Sequence, residues 1–158
     1  MGGVNRMRFF ISGTPRPQGR PRAFVRGNHA AVFSPTTEWK EAVKYAAMPI
    51  AKEVIINALH VDIEYLFPRP KSHYGTGKNA RILKKKAPVL MIKKPDLDNL
   101  NKAVIDAMQD VQIYNDDSQI INLTSRKRYT VDGETPGAQV ELFMLDEYGN
   151  KLNLVEIK

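Results

Sequence analysis

Residues 94–119 read KPDLDNLNKAVIDAMQDVQIYNDDSQ, and the organisation of the chain follows from this stretch. Pro95 pushes Lys94 out of helical geometry, so the chain enters extended and turns at Asp96, which takes the N-cap position. A helix is expected from about Asp96 to about Gln109. Leu97, Leu100, Val104, Ala107, Met108 and Val111 recur at helical spacing and form its buried face. Asp98, Lys102 and Asp106 fall at i, i+4 and i+8 on the other side. Asp116 and Asp117 stand side by side just beyond the helix, and Gln119 begins a new apolar segment.

Either acid pair alone has an ordinary structural explanation. Aspartates at helix starts cap free amides and oppose the macrodipole, and Asp98 with Lys102 matches a common helical ion pair. Together they suggest more. Carboxylates gathered in one place repel unless a cation holds them, and magnesium prefers oxygen ligands. A strand returning along the helix is expected to bring Asp117 back beside Asp96 and Asp98. Three carboxylates from two elements suit one or two magnesium ions acting on a phosphate, and Lys102 would face the developing charge. An EF-hand starting at Asp96 fails, with Leu100, Asn101 and Ala107 wrong for the loop. There is no P-loop, so no nucleotide cofactor is expected.

Charge points to a polyanionic partner. The 24 basic residues exceed the 17 acidic ones by seven, and the excess is segregated rather than mixed. Lys78, Arg81, Lys84, Lys85, Lys86, Lys93 and Lys94 share one segment without an acid; Arg16, Arg20, Arg22 and Arg26 form a second cluster, and Arg126, Lys127 and Arg128 a third. The absence of cysteine rules out disulfides and thiolate chemistry and is compatible with a reducing compartment. His29, His60 and His73 lack metal-ligand spacing. No membrane span or signal peptide is read, so a cytoplasmic location is expected.

Elsewhere the pattern predicts a strand over 7–13, a stiff proline loop over 14–22, a hairpin over 23–34 turning at Gly27-Asn28, and a helix capped by Ser34 with Pro35 at its first position. That helix carries the stripe Trp39, Ala42, Val43, Ala46, Ile50 and ends at Pro49. Residues 59–67 alternate cleanly as a strand, with Leu59, Val61, Ile63, Tyr65 and Phe67 facing one way. Residues 68–93 form a long basic connection, expected to be loose on its own or a disordered insertion. Residues 118–131 and 138–145 read as paired strands around DGETPG. One domain is expected over 7–146, with 1–6 and 147–158 as peripheral tails.

KPDLDNLNKAVIDAM followed by YNDDSQI resembles the RusA family of Holliday junction resolvases, found in bacteria and their prophages. GTPRPQGRPR and the helix carrying Trp39 are similar to the amino-terminal half of that family, and PKSHYGTGKNARILKKKAP to an insertion of its phage-type members. The resemblance implies an α+β fold, a small mixed β-sheet with two main helices packed on it. It implies a crossover junction endodeoxyribonuclease, active in recombination and repair as a homodimer on branched DNA, using magnesium or alternatively manganese and cutting two strands symmetrically. By position, Asp96, Asp98 and Asp117 match catalytic metal-binding carboxylates and Lys102 an essential lysine, with Asn99 and Asp116 in supporting roles. Asp110 departs from the glycine common there. Arg16, Arg20, Arg22, Lys78, Arg81, Lys84, Lys85, Lys86, Lys93 and Lys94 are the expected DNA contacts. The residues by themselves leave open a non-catalytic basic DNA-binding module, or a metal-dependent nuclease acting on other branched DNA or RNA.

Overall fold

A computed structural model of the chain describes residues 6–19, 23–26, 29–32 and 36–152. The elements are β1 (Arg6–Ser12), β2 (Ala23–Arg26), β3 (His29–Val32), α1 (Thr36–Ala47), β4 (Ala58–Phe67), α2 (Leu97–Asp110), β5 (Ile120–Tyr129) and β6 (Gly137–Leu145). Four strands make one mixed sheet in the order β1-β6-β4-β5, and β2 pairs with β3 in a separate antiparallel hairpin. This is the expected α+β arrangement. The expected hairpin turn at Gly27-Asn28 and the Ser34-Pro35 helix start lie outside the described residues.

Alternation along β4 selects the buried side of the sheet. Leu59, Val61, Ile63 and Tyr65 are fully buried, and so are Ala138, Val140 and Leu142 of β6 and Ile11 of β1. The register sets Val61 beside Leu142, and Leu142 beside Met7, so one apolar surface crosses all three strands. Both helices pack on it. Trp39, Val43 and Ala47 come from α1, and Leu100, Ala103, Val104, Ala107 and Met108 from α2. The other side of the sheet is crossed by ion pairs, with Arg6 and Arg8 each 3.8 Å from Glu141 and Arg126 3.5 Å from Asp62.

The expectation that 118–131 pairs with 138–145 is overturned. β4 lies between them, pairing in parallel with β5 and antiparallel with β6. The unit β4-α2-β5 is a crossover, which parallel neighbours require. Burial explains the placement. β6 carries apolar residues suited to a central position, whereas Asn122, Thr124 and Arg126 on β5 are exposed, as an edge strand allows. Gly137 permits the close approach of β6 to β1, because a Cβ there would lie 2.1 Å from the Ile11 carbonyl oxygen.

Residues 68–93 also depart from expectation, since they fold. Short 3₁₀ turns occupy Lys71–His73 and Gly77–Asn79, and Tyr74 bridges Leu83. Arg69 ties both ends to the sheet, donating to the carbonyls of Thr130 and Pro88 at 2.7 Å each. Beyond Asp146, Lys151 bridges Leu145 and its ammonium sits 3.8 Å over the Phe143 ring.

Helix α2 is fixed to the sheet by one buried polar chain. The Tyr65 hydroxyl donates to Asn101 Oδ1 at 2.9 Å, and Asn101 Nδ2 donates to Ser125 Oγ at 2.8 Å. Tyr65→Phe would leave the Asn101 oxygen unsatisfied and is expected to cost about 1–2 kcal/mol, measurable as a lower denaturant midpoint with an unchanged slope.

Candidate active site and nucleic-acid surface

Asp96 adopts extended backbone geometry (φ −75°, ψ 146°) as the N-cap of α2, and its carboxylate makes no capping bond. The helix starts instead on its carbonyl, which accepts from Leu100 N at 3.1 Å. Asp98 and Lys102 are exposed, and the ion pair that their spacing allows does not form: Lys44 with Glu41 and Asp110 supplies the lysine pairs among the described residues. Capping and helical pairing therefore do not account for Asp96, Asp98 and Lys102.

Two contacts set this end of α2. Lys127 of β5 donates from Nζ to the carbonyls of Lys93 and Pro95 at 2.6 and 2.7 Å, pinning the chain as it enters the helix. Gln18 N donates to the Asn99 carbonyl at 3.0 Å, which docks the proline loop on the first turn of α2. The exposed Arg16 thus belongs to a loop held beside Asp98. Arg20 and Arg22 lie outside the described residues.

Asp117 stands elsewhere. Its backbone N–H donates to Gln109 Oε1 at 3.1 Å, at the last turn of α2. Burial, and after it the carboxylates of Asp117, Asp106, Asp110 and Asp116, raise the Tyr114 hydroxyl above the ordinary phenol range. The second acid group therefore gathers at the carboxyl end of the helix. Eleven residues separate Asp98 from Gln109, roughly 16 Å along the axis at 1.5 Å per residue. The expected return of Asp117 to the helix start is corrected. β5 does run back along α2, but it starts at the far end, and Lys127, near its close, is what reaches Pro95. Among the described residues no three His, Asp or Glu side chains are placed to hold a metal ion. Asp96 and Asp98 thus stand at one end of α2 and Asp117 at the other.

Asp116 has a structural role. It accepts from Ser118 N at 2.8 Å, while Gln119 Oε1 accepts from the amides of Asn115 and Asp116 at 2.9 and 3.0 Å. This is a reciprocal capping box. Bonding to Ser118 holds the Asp116 carboxyl below its usual range.

Of the basic clusters, the central one remains open to a partner. Lys78, Arg81, Lys84, Lys85, Lys86, Lys93 and Lys94 are all exposed, and the Lys84 ammonium donates to the Ser72 carbonyl at 3.0 Å. The third cluster is corrected. Arg126 pairs with Asp62 and Glu64, Arg128 pairs with Glu64 and Glu134, and Lys127 serves the two carbonyls described above. Those charges are matched internally. Sequence reasoning missed Asn101, whose signal is a polar residue on the side of α2 that carries Leu100 and Val104.

The family model described as Endodeoxyribonuclease RusA matches residues 12–142, a span that includes both acid groups. The uncharacterized protein YqaN of Bacillus subtilis (strain 168) is 33% identical over 140 residues, covering 85% of this chain and 93% of the relative.

Arg128 holds Glu134 bidentately at 2.6 and 2.7 Å and, with the Val131 amide, keeps its carboxyl near 2 against an ordinary 4.5. A lowered carboxyl stabilises the fold fully above its unfolded value and loses that contribution as pH falls through the folded one. Glu134→Gln is expected to cost about 1 kcal/mol at neutral pH, the partial exposure screening the pair. The gap between wild type and variant should close between pH 4.5 and about 2, as read by denaturant unfolding across that range.

Proposed function

The chain belongs to the RusA endodeoxyribonuclease family, and we propose that it is a magnesium-dependent nuclease that resolves four-way DNA junctions by paired symmetric nicks, working as a homodimer. The observation that carries this reading is the exposed, uncommitted set Asp96, Asp98 and Lys102, flanked by the Arg16 loop on one side and Lys93-Lys94 on the other. Carboxylates with no structural employment, set among cations, suit a site for a phosphodiester and its counter-ion.

The separation of Asp117 from that set supports the dimer. β5 is an edge strand, and it leaves Ile121 61% and Leu123 39% exposed. Two copies packed antiparallel about a two-fold through this surface would bring Asp117 of one to Asp96 and Asp98 of the other, twice over. These three carboxylates would hold magnesium, with manganese as a substitute; when bound, the ion neutralises the scissile phosphate and activates a water. Lys102, one turn beyond Asp98, would face the cleaved phosphate, with Asn99 fixing the first turn. Two sites related by a two-fold match the symmetry of a four-way junction.

Wild-type protein is expected to nick a synthetic junction in magnesium but not in EDTA, and Asp98→Asn to lose at least about 10²-fold in rate while still binding. Cleavage that survives both treatments removes the proposal. Asp98→Asn and Asp117→Asn are each expected to be inactive, yet mixing them should restore about a quarter of wild-type nicking, because half the dimers would be mixed and each would carry one intact site. No recovery from folded, exchanging dimers excludes shared sites.

The basic lobe carries a separate expectation. Lys84→Ala/Lys85→Ala/Lys86→Ala should weaken junction binding and flatten the slope of log affinity against log salt by roughly one for each phosphate that is no longer neutralised. An unchanged slope in a fluorescence-anisotropy titration would place the DNA elsewhere.

A further inference from the structure

Residues 88–95 run along the edge of β5. Leu90 bridges Arg128 in antiparallel fashion, Tyr129 N donates to the Val89 carbonyl at 2.9 Å, and Lys127 holds the carbonyls of Lys93 and Pro95. Strand-like alternation follows from this backing. Met91 turns inward and is 9% exposed, whereas Leu90 and Ile92 turn outward and are 68% and 91% exposed. With Pro88 and Val89 they line a cleft of about 500 Å³. Single exposed apolar residues are common on surfaces; two on one side of a pinned segment, beside a third, make a patch.

The setting of that patch selects its occupant. Lys84, Lys85 and Lys86 precede it, Lys93 and Lys94 follow it, and all five are exposed. No acid occurs between residues 65 and 95. A two-fold contact through this face would set the lysines of each copy against those of the other, whereas a nucleic acid neutralises them. The distance to the cleavage chemistry is short, since four residues from Ile92 to Asp96 span at most about 14 Å. That is about four base steps at 3.4 Å per step.

Resting on the junction reading above, we propose that Leu90 and Ile92 form an apolar wedge that enters the base stack at the branch point while the flanking lysines hold the phosphates on either side. Isoleucine and leucine are among the side chains that proteins insert between base steps, and a branch point is where stacking is already interrupted. The wedge would make recognition of the branch a matter of shape. It would also fix the register between the branch and the phosphate presented to Asp96 and Asp98.

The test uses the full chain in EDTA with four-way junctions carrying 2-aminopurine at the branch or within an arm. Wild-type protein is expected to raise fluorescence at the branch probe, as the base unstacks, and not at the arm probe. Leu90→Ser/Ile92→Ser, altered at exposed positions and checked for unchanged thermal unfolding, should still bind with the wild-type salt slope. It should lose the fluorescence rise and part of its preference for junction over linear duplex. The wedge is overturned if wild type binds without a rise at the branch, or if the double variant keeps it. It is equally overturned if the double variant sediments as a monomer where wild type is a dimer, which would make the patch a subunit interface. Wild type that does not bind the junction at all instead sinks the junction reading, and the wedge with it.

Discussion

The contact on which the rest of the molecule depends is the seating of α2 against β4 and β5 through Asn101. An amide buried in a helix–sheet interface is costly unless both of its ends are bonded. Here Tyr65 satisfies the oxygen and Ser125 accepts from the nitrogen. Apolar packing fills the interface but carries no directional bond. The amide permits one seating, and that seating decides which side of α2 presents Asp98 and Lys102 to solvent.

The antiparallel course of α2 and β5 then divides the acids. A helix of 14 residues carries the chain about 21 Å, and the strand that returns along it ends, rather than begins, at the helix start. Asp96 and Asp98 consequently sit at one end and Asp116 and Asp117 at the other. Cations sort with the first group. Arg16 arrives on a loop bonded to Asn99, Lys93 and Lys94 precede the helix, and Lys127 is used up holding the entry in place. The capping box around Asp116 and Gln119 stiffens the second end, with Gln119 also donating to the carbonyls of Ile55 and Asn57.

Much of this was legible in the residues. The limits of α2, the inward row of β4 and the stripe on α1 follow from periodicity and proline placement, and each appears with a boundary shift of a residue or so. What could not be read were quantities set at long range. DGETPG has the local chemistry of a hairpin turn, but the place of β6 is fixed by how much apolar surface it buries, and that favours the centre over the rim. Residues 71–87 have no periodic pattern, because backbone bonds such as Gly75 N to Ile82 O and Lys84 N to His73 O fold them. Spacing announced that Asp117 belongs with α2 without saying at which end. Arg126 and Arg128 read as free charge because Glu64, the partner they share, lies 62 and 64 residues away.

Arg69 has an evolutionary corollary. By gripping the carbonyls of Thr130 and Pro88 at once, a single guanidinium closes the neck of the lobe between them. Inside that neck His73 sets its ring edge-on against Tyr129 of β5, so the base of the lobe is seated while Lys78, Arg81, Lys84, Lys85 and Lys86 stay exposed. Such a lobe is free to lengthen, shorten or trade its lysines over generations, retuning grip on the polymer without disturbing the aspartates downstream.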